Sequence, residues 1–330
     1  MTSIANVDSY SGSDENANAF IGVNEDTKVT SDSKGIEAGD GNNVIANFGT
    51  ITAGSEVTAN SHAKASSVTF TATATAKTGA LASATGIVVG DGNNLIRSGG
   101  TLTVTAENTA TALADKHSDH LDWAVTDAGG NETALTADAT GIRVGGGANE
   151  IENSEKMAVT SQLTASAQSY ADTSTSTNHG VAHAGGVATG AGIAAADGQN
   201  RIQNYGDMTV SVTADVSALS HAEDYGEAYI GSQSMSVGSE NTPGVIAKAS
   251  GIKLGSGTNE IGNFGSLVVD ATATADATGW AHTTSVDAHG RAVAISLAEA
   301  AGINTGGGTS RIFNYGDIAV SATGSAFATT

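Results

Sequence analysis

The chain has 330 residues, with 43 glycines, one proline, no cysteine and only 4% aromatic residues. Its 34 acidic and 13 basic residues give a net charge of −21, which argues against a nucleic-acid partner because phosphate binding needs clustered Lys and Arg. The lack of cysteine excludes disulfides and thiolate metal sites, and no apolar run of about 18 residues predicts a transmembrane segment.

Residues 1–34 resemble a partial repeat that precedes the first clear motif, and we interpret them as a cap or assembly segment. The first ten residues, M-T-S-I-A-N-V-D-S-Y, contain neither a basic region nor an apolar region, so they do not predict a secretory signal peptide. Residues 35–330 are predicted to form a single elongated domain.

A glycine- and asparagine-rich motif occurs six times in residues 35–330. The first copy reads G-I-E-A-G-D-G-N-N-V-I-A-N-F-G-T-I, and the consensus is G-I-x-x-G-x-G-x-N-x-I-x-N-x-G-x-[ILM]-x-V. The copies begin at Gly35, Gly86, Gly141, Gly192, Gly251 and Gly302, at spacings of 51, 55, 51, 59 and 51 residues. Such a period indicates units that stack on their own copies.

Each motif alternates with a period of two and is flanked by further alternating runs, such as residues 267–277. This period is typical of β-strands, and no segment has the 3.6-residue period of a long amphipathic helix. Polar stretches of variable length, such as 115–120, separate the runs and are interpreted as loops. The predicted fold is therefore all-β, a β-solenoid of the parallel β-helix kind, with one or two coils per repeat.

Stacking would align three columns of side chains. The glycines of the motif are assigned to turns and to close backbone approaches, and the asparagines to hydrogen-bonded ladders. The first predicted ladder, interrupted at Ser310, contains Asn43, Asn94, Asn149, Asn200 and Asn259. The second, interrupted at Ser98, contains Asn47, Asn153, Asn204, Asn263 and Asn314. An inward aliphatic column contains Ile45, Ile96, Ile151, Ile202, Ile261 and Ile312.

This consensus resembles the degenerate strand-and-turn repeats of secreted bacterial β-solenoids, such as autotransporter passenger domains, haemagglutinin-like adhesins and related filament or surface proteins. The resemblance covers about residues 35–330 and implies an extracellular, elongated protein with a structural or adhesive function. A weaker resemblance links G-D-G-N-N-V-I to the calcium-binding nonapeptide repeats of RTX-like proteins, which are acidic, poor in cysteine and exported without an N-terminal signal. That resemblance makes bound calcium an alternative.

Two groups of side chains are candidate metal ligands. Asp40, Asp91 and Asp197 occupy the motif's turn and are the candidates for calcium, although the other three copies have Gly146, Ser256 and Gly307 there. The segment H-S-D-H-L-D holds His117, Asp119, His120 and Asp122, residue types that bind transition metals. The alternative for both groups is a polar turn without a metal, and the fold itself requires no cofactor.

The sequence has no signature of catalysis. Trp123 and Trp280, the only tryptophans, fall in the variable segments, Arg and Lys are few, and no Ser-His-Asp set or phosphate-binding loop is apparent. Alternating threonines at 68–76 and 271–278 suggest an ice-binding surface as a minor alternative to ordinary exposed strand residues. We therefore predict a protein that is not an enzyme.

The function predicted from the sequence is structural. Open sheet edges pair with other chains, and contacts between unlike ends propagate into fibres. We expect a protein of the cell surface or extracellular space that assembles head to tail with itself. The alternative is a stalk or passenger segment of a larger adhesin that binds host or matrix glycans.

Overall fold

The computed structural model describes residues 1–11, 16–21, 29–67, 72–118, 122–128, 135–173, 178–223, 226–229, 244–282 and 289–330. These ranges contain 25 β-strands in four sheets, and every strand pairing within them is parallel. The predicted all-β parallel solenoid is confirmed. Within the same ranges, no helical segment has the length and hydropathy needed to span a bilayer.

The chain passes through the four sheets in a fixed order, which we name the long, distal, return and corner sheets. The long sheet contains β1 (Thr2–Ser11), β5 (Ile51–Ser67), β9 (Leu102–Ser118), β13 (Met157–Thr173), β17 (Met208–Glu223), β21 (Leu267–His282) and β25 (Ile318–Thr329). The distal sheet contains β2 (Ala17–Ile21), β6 (Ala72–Thr78), β10 (Asp122–Ala128), β14 (Asn178–Ala184), β18 (Gly226–Tyr229) and β22 (His289–Arg291).

The other two sheets complete each turn. The return sheet contains β3 (Val29–Ala38), β7 (Ala80–Val89), β11 (Leu135–Val144), β15 (Gly186–Ala195), β19 (Val245–Leu254) and β23 (Ser296–Thr305). The corner sheet contains β4 (Val44–Asn47), β8 (Asn94–Ser98), β12 (Gly147–Asn153), β16 (Gly198–Asn204), β20 (Gly257–Asn263) and β24 (Gly308–Asn314).

Each sequence repeat makes one coil. Neighbours within a sheet are always four strands apart in the chain. Ile36 pairs with Ile87, Ile87 with Ile142 and Ile142 with Ile193, so the register follows the repeat spacing. Because a parallel register slip of one residue would turn every inward side chain outward, the alternating pattern and the repeat length specify the same alignment.

The prediction that each repeat has one polar loop between its alternating runs is wrong in part, because strand residues occupy much of that region. Residues 115–118 continue β9, and β10 begins at Asp122 after three residues that lie outside the described ranges. The distal strands are short, at three to seven residues, so they are harder to recognise in the sequence than the long strands. They form because parallel strands above and below supply backbone partners, as β6 and β14 do for β10.

The core lies between the long sheet and the distal and return sheets that face it. β5 packs against both β6 and β7, which are separated only by Gly79. Alanine lines the core around the distal sheet, as at Ala63 and Ala76, both fully buried. Larger aliphatic side chains occupy the part of the core nearest the corner sheet, as at Ile96 and Leu102. We call these two regions the alanine half and the corner half of each coil.

Candidate functional site

The turn of the motif joins the return sheet to the corner sheet and positions the predicted site residues. Its second glycine has φ of 116° at Gly41 and 107° to 145° at the five equivalent glycines, a left-handed conformation that favours glycine. A Cβ on Gly92 would also collide with the carbonyl of Gly41 in the coil before it. Each turn therefore stacks directly on the previous one through its backbone.

The first asparagine column is a continuous hydrogen-bonded ladder over five coils. The Nδ2 of Asn94 donates to Oδ1 of Asn149 at 2.9 Å, and Asn149 donates in the same way to Asn200 at 2.9 Å. The outer steps, from Asn43 to Asn94 and from Asn200 to Asn259, measure 2.9 and 3.0 Å. The second N–H of each amide donates to a carbonyl four residues earlier, such as Gly145 O at 3.1 Å. The ladder thus ties each coil to the next and closes its own turn.

The second asparagine column is continuous only from the third coil onward. Asn153, Asn204, Asn263 and Asn314 are joined by Nδ2–Oδ1 hydrogen bonds of 2.8, 2.9 and 2.8 Å. Ser98 interrupts the column, as the sequence indicates. Among the described residues, Asn47 Nδ2, Ser98 Oγ and Asn153 Oδ1 are then buried without a hydrogen-bond partner. The serine is too short to connect the amides on either side.

The isoleucine column points into the corner half. Its four central members, Ile96, Ile151, Ile202 and Ile261, are fully buried and pair with one another in register. The glycine that opens each motif provides room for the core, since a Cβ on Gly192 would lie 2.6 Å from the carbonyl oxygen of Gly251 and would collide with Met208. This part of the molecule is packed against backbone on several sides.

Asp40, Asp91 and Asp197 lie on the outer edge of the turn, where each carboxylate accepts a hydrogen bond from the next coil. The Oδ1 atoms of Asp40 and Asp91 accept the backbone N–H of Asp91 and Gly146 at 2.9 and 2.7 Å. Asp197 Oδ1 accepts the N–H of Ser256 at 2.6 Å. In the described part of the chain, no three His, Asp or Glu side chains are grouped as metal ligands. Calcium binding by these aspartates stays a prediction.

The predicted transition-metal segment is only partly described. Asp119 and His120 lie outside the described residues, as does the side chain of Asp122. His117 Nδ1 lies 2.9 Å from Oδ2 of Asp172 on the neighbouring coil. A groove of about 510 Å³ adjoins this pair and is lined in part by Leu113, Asp115, His117, Tyr170, Asp172 and His221. His117 is therefore partnered by a carboxylate of the neighbouring coil.

An aromatic column runs along the outer face of the long sheet beside this groove. The His221 ring stacks on the Trp280 indole with centroids 4.1 Å apart, and Tyr170 lies 5.8 Å from His221. Trp280 lies within β21 and not in a loop, which corrects the sequence interpretation. The three residues are each 13 positions after Met157, Met208 or Leu267, so an alignment on that position of the motif identifies the column.

Lys116 is a site residue that the sequence analysis missed. It faces inward from β9, where its neighbours in register are Ala65 and Ala171, and only 1% of its surface is exposed. Burial lowers the pKa of the Lys116 ammonium to about 7. A polar side chain thus lies in the alanine half of the core, close to the groove.

Comparison with known proteins does not identify a family for this chain. No protein-family model matches the chain, and searches of curated proteins and of solved structures find no match either. The parallel solenoid rests on its own sheet topology, and the candidate functional features are the corner ladders, the aromatic column and the two open edges of the stack.

Proposed function

We propose that this protein is a non-enzymatic structural β-solenoid that assembles end to end into filaments or a matrix in the extracellular space or at a cell surface. The proposal is supported by the edge of the stack formed by β23, β24 and β25. There the inward residues Ile312, Ile318 and Val320 are 48%, 38% and 46% exposed, whereas their neighbours in register, Ile261, Leu267 and Val269, are fully buried.

This edge has the chemistry of a surface that accepts another coil. Among the described residues, the outermost strand of each sheet has no strand partner on its outer side, and unpaired parallel strands are templates for further pairing. The coil-to-coil contact repeats five times with one register, so a second copy would continue a packing that the chain already uses. The contact joins unlike edges, and such contacts propagate instead of closing.

Negative-stain electron microscopy of the purified 330-residue chain at neutral pH, with and without calcium, tests the proposal. We expect unbranched filaments of uniform width, and single particles under all conditions would contradict end-to-end assembly. Val320→Lys places a charge on the inward face of β25 and should abolish filaments. Phe313→Lys, on the outward face of the same coil and 45% exposed, is the matched control and should leave them intact.

The aromatic column favours a second function, that of a stalk or passenger segment of a larger adhesin. Trp280 is 40% exposed and stacks on His221, so the column offers an apolar aromatic surface that suits the apolar face of a sugar ring. A glycan array with the parent chain and Trp280→Ala tests this function. Binding that the substitution abolishes supports adhesion, whereas an array without signal argues against it. A calcium-stabilised, RTX-like protein remains the further alternative, and thermal unfolding with calcium or chelator tests it.

A further inference from the structure

The four sheets do not contain the same number of strands. Within the described residues the long sheet has seven strands and each of the others has six, so β1 and β25 are the edge strands of a sheet with one strand more than its neighbours. A second copy that continued the distal, return and corner sheets would therefore bring one long strand too many into the joint. This inference rests on the proposed end-to-end assembly and concerns how that joint is made.

The two edge strands occupy the same place along the coil. The register runs without interruption from Asn6 through Asn60 to Phe327, over six successive strand pairings. By the same pairings Thr2–Asp8 of β1 are equivalent to Thr323–Thr329 of β25. When β2, β3 and β4 of one copy stack on β22, β23 and β24 of another, both edge strands are directed to the same side of β5. Only one of them can pair there.

We infer that β25 of one copy displaces β1 of the next copy and pairs with β5 in its place. β1 pairs only with residues Glu56–Ala65 of β5. β25 is aligned with Ile51–His62, so it also covers the first residues of β5, which β1 leaves without a strand partner. A strand that extends the ladder into the corner half adds backbone hydrogen bonds there.

The inward faces of the two strands differ outside the positions that they share. β25 directs Ile318, Val320 and Ala322 toward the corner half, where the equivalent residues of the inner coils are apolar and buried and where β1 has no residues. Over the shared positions β25 has no larger inward side chain than β1, since Ala328 takes the place of Val7. The gain for β25 therefore comes from burying its aliphatic side chains in the corner half, because apolar burial scales with the area removed from water.

The corner columns continue across this joint. Register brings Ile45 of the second copy over Ile312, and Asn47 over Asn314, which already receives the ladder from Asn263 at 2.8 Å. Phe48 and Tyr315, both exposed, occupy equivalent positions, and Tyr315 already stacks on Phe264 at 5.3 Å. One contact brings like charges together, because Glu299 would face Asp32. Each of these carboxylates already has a lysine partner in its own copy, Lys248 at 2.9 Å and Lys34 at 3.6 Å.

Engineered cysteines test the displacement cleanly because the natural chain has none. Paired residues of neighbouring strands lie within disulfide range. The variant Asn60→Cys with Phe327→Cys should form intermolecular disulfides in oxidised filaments, identified by mass spectrometry, at least tenfold more than either single variant. If Asn6→Cys with Phe327→Cys gives the cross-links instead, β1 stays in place and the displacement is wrong, although end-to-end assembly stands.

Locking β1 is the complementary test. Asn6→Cys with Asn60→Cys replaces two amides whose side chains are hydrogen-bonded at 2.9 Å. Oxidation should tether β1 to β5 and abolish multimers, and reduction should restore them. Multimers that persist in the oxidised variant would overturn the inference. A lock between Thr111→Cys and Ser166→Cys, on inner strands, is the control and should have no effect.

The axial repeat of the filament gives an independent measurement. With displacement each copy adds six rows, or about 29 Å at about 4.8 Å per strand, whereas retention of β1 gives seven rows and about 34 Å. Cryo-electron microscopy separates these values. A repeat of about 34 Å contradicts displacement, and the absence of any multimer in every variant contradicts the proposed function together with it.

Discussion

The corner half and the alanine half of each coil stabilise the same stack by different means. In the corner half, asparagine ladders and large aliphatic side chains lie against glycine backbone. Every motif has the same length from its opening glycine to the position of its last consensus glycine, which is Glu155 in the third copy. In the alanine half the side chains are small, and the connection between the distal and return strands varies in length. It is the single residue Gly79 between β6 and β7, but residues 129–134 between β10 and β11.

The difference shows where the fold tolerates change. An asparagine that hydrogen-bonds to the equivalent residue of the next coil constrains both coils. An insertion near a ladder would therefore disrupt the contacts of its coil with the coil before it and with the coil after it. Short alanine side chains contribute less to the contact between coils, and the backbone ladders carry more of it. Variation in repeat length therefore accumulates on the side of the coil where the side chains contribute least.

The largest effect should come from Gly192→Val in the corner half. The new side chain would collide with Met208 and with the backbone carbonyl of Gly251, and overpacking against backbone costs about 3 kcal/mol or more. Urea unfolding measures the loss. Gly54→Ala in β5 is the control, since a Cβ there meets nothing within 4 Å. Equal losses for both variants would contradict the packing argument.

Asn204→Ser should break the second ladder where it is now complete. It leaves Asn153 Nδ2 and Asn263 Oδ1 each short of one hydrogen bond, and the expected loss is about 2–4 kcal/mol because each buried orphan costs about 1–3 kcal/mol. Chemical denaturation gives the value, and hydrogen exchange should show faster opening of β16 and β20. Unchanged exchange in those strands would mean that the ladder is not a stabilising element.

Lys116→Met tests how a buried lysine in the alanine half makes the stability of the protein depend on pH. The pKa of buried Lys116 is lowered to about 7, and that of an unfolded lysine is about 10.4. Between these values the unfolded chain binds a proton that the folded chain does not, so stability should rise with pH by up to about 1.4 kcal/mol per unit. Below pH 7 this gain is absent. In the variant the rise between pH 7.5 and 9.5 should disappear, and its persistence would assign it to other groups.

The smallest effect, a stabilising one, is expected from Ser98→Asn. The new amide can donate to Asn153 Oδ1 and accept from Asn47 Nδ2, two atoms that are now buried without partners. We expect a gain of about 1–2 kcal/mol in urea unfolding. Ser98→Ala removes only the serine hydroxyl and serves as the comparison. A loss of stability with asparagine would show that the coil at Ser98 has no room for the longer side chain.

The alternation and the repeat spacing by themselves determined the all-β solenoid, its register and the inward position of Ile151 and Ile202. The asparagine columns follow from the same alignment, because identical positions of a parallel stack must lie one strand apart. These features depend only on a period of two and on the recurrence of the motif, and both are visible in the residue order.

Only the tertiary structure decided where the chain turns within each coil. The distal strands form because the coils above and below offer backbone partners, and a segment such as 122–128 carries no strong pattern of its own. For the same reason Trp280 and His221 meet on an outer face, and Lys116 lies between two alanines of neighbouring coils. A two-residue period specifies which side of a strand faces inward, but burial also depends on the neighbouring coils, which are distant in sequence.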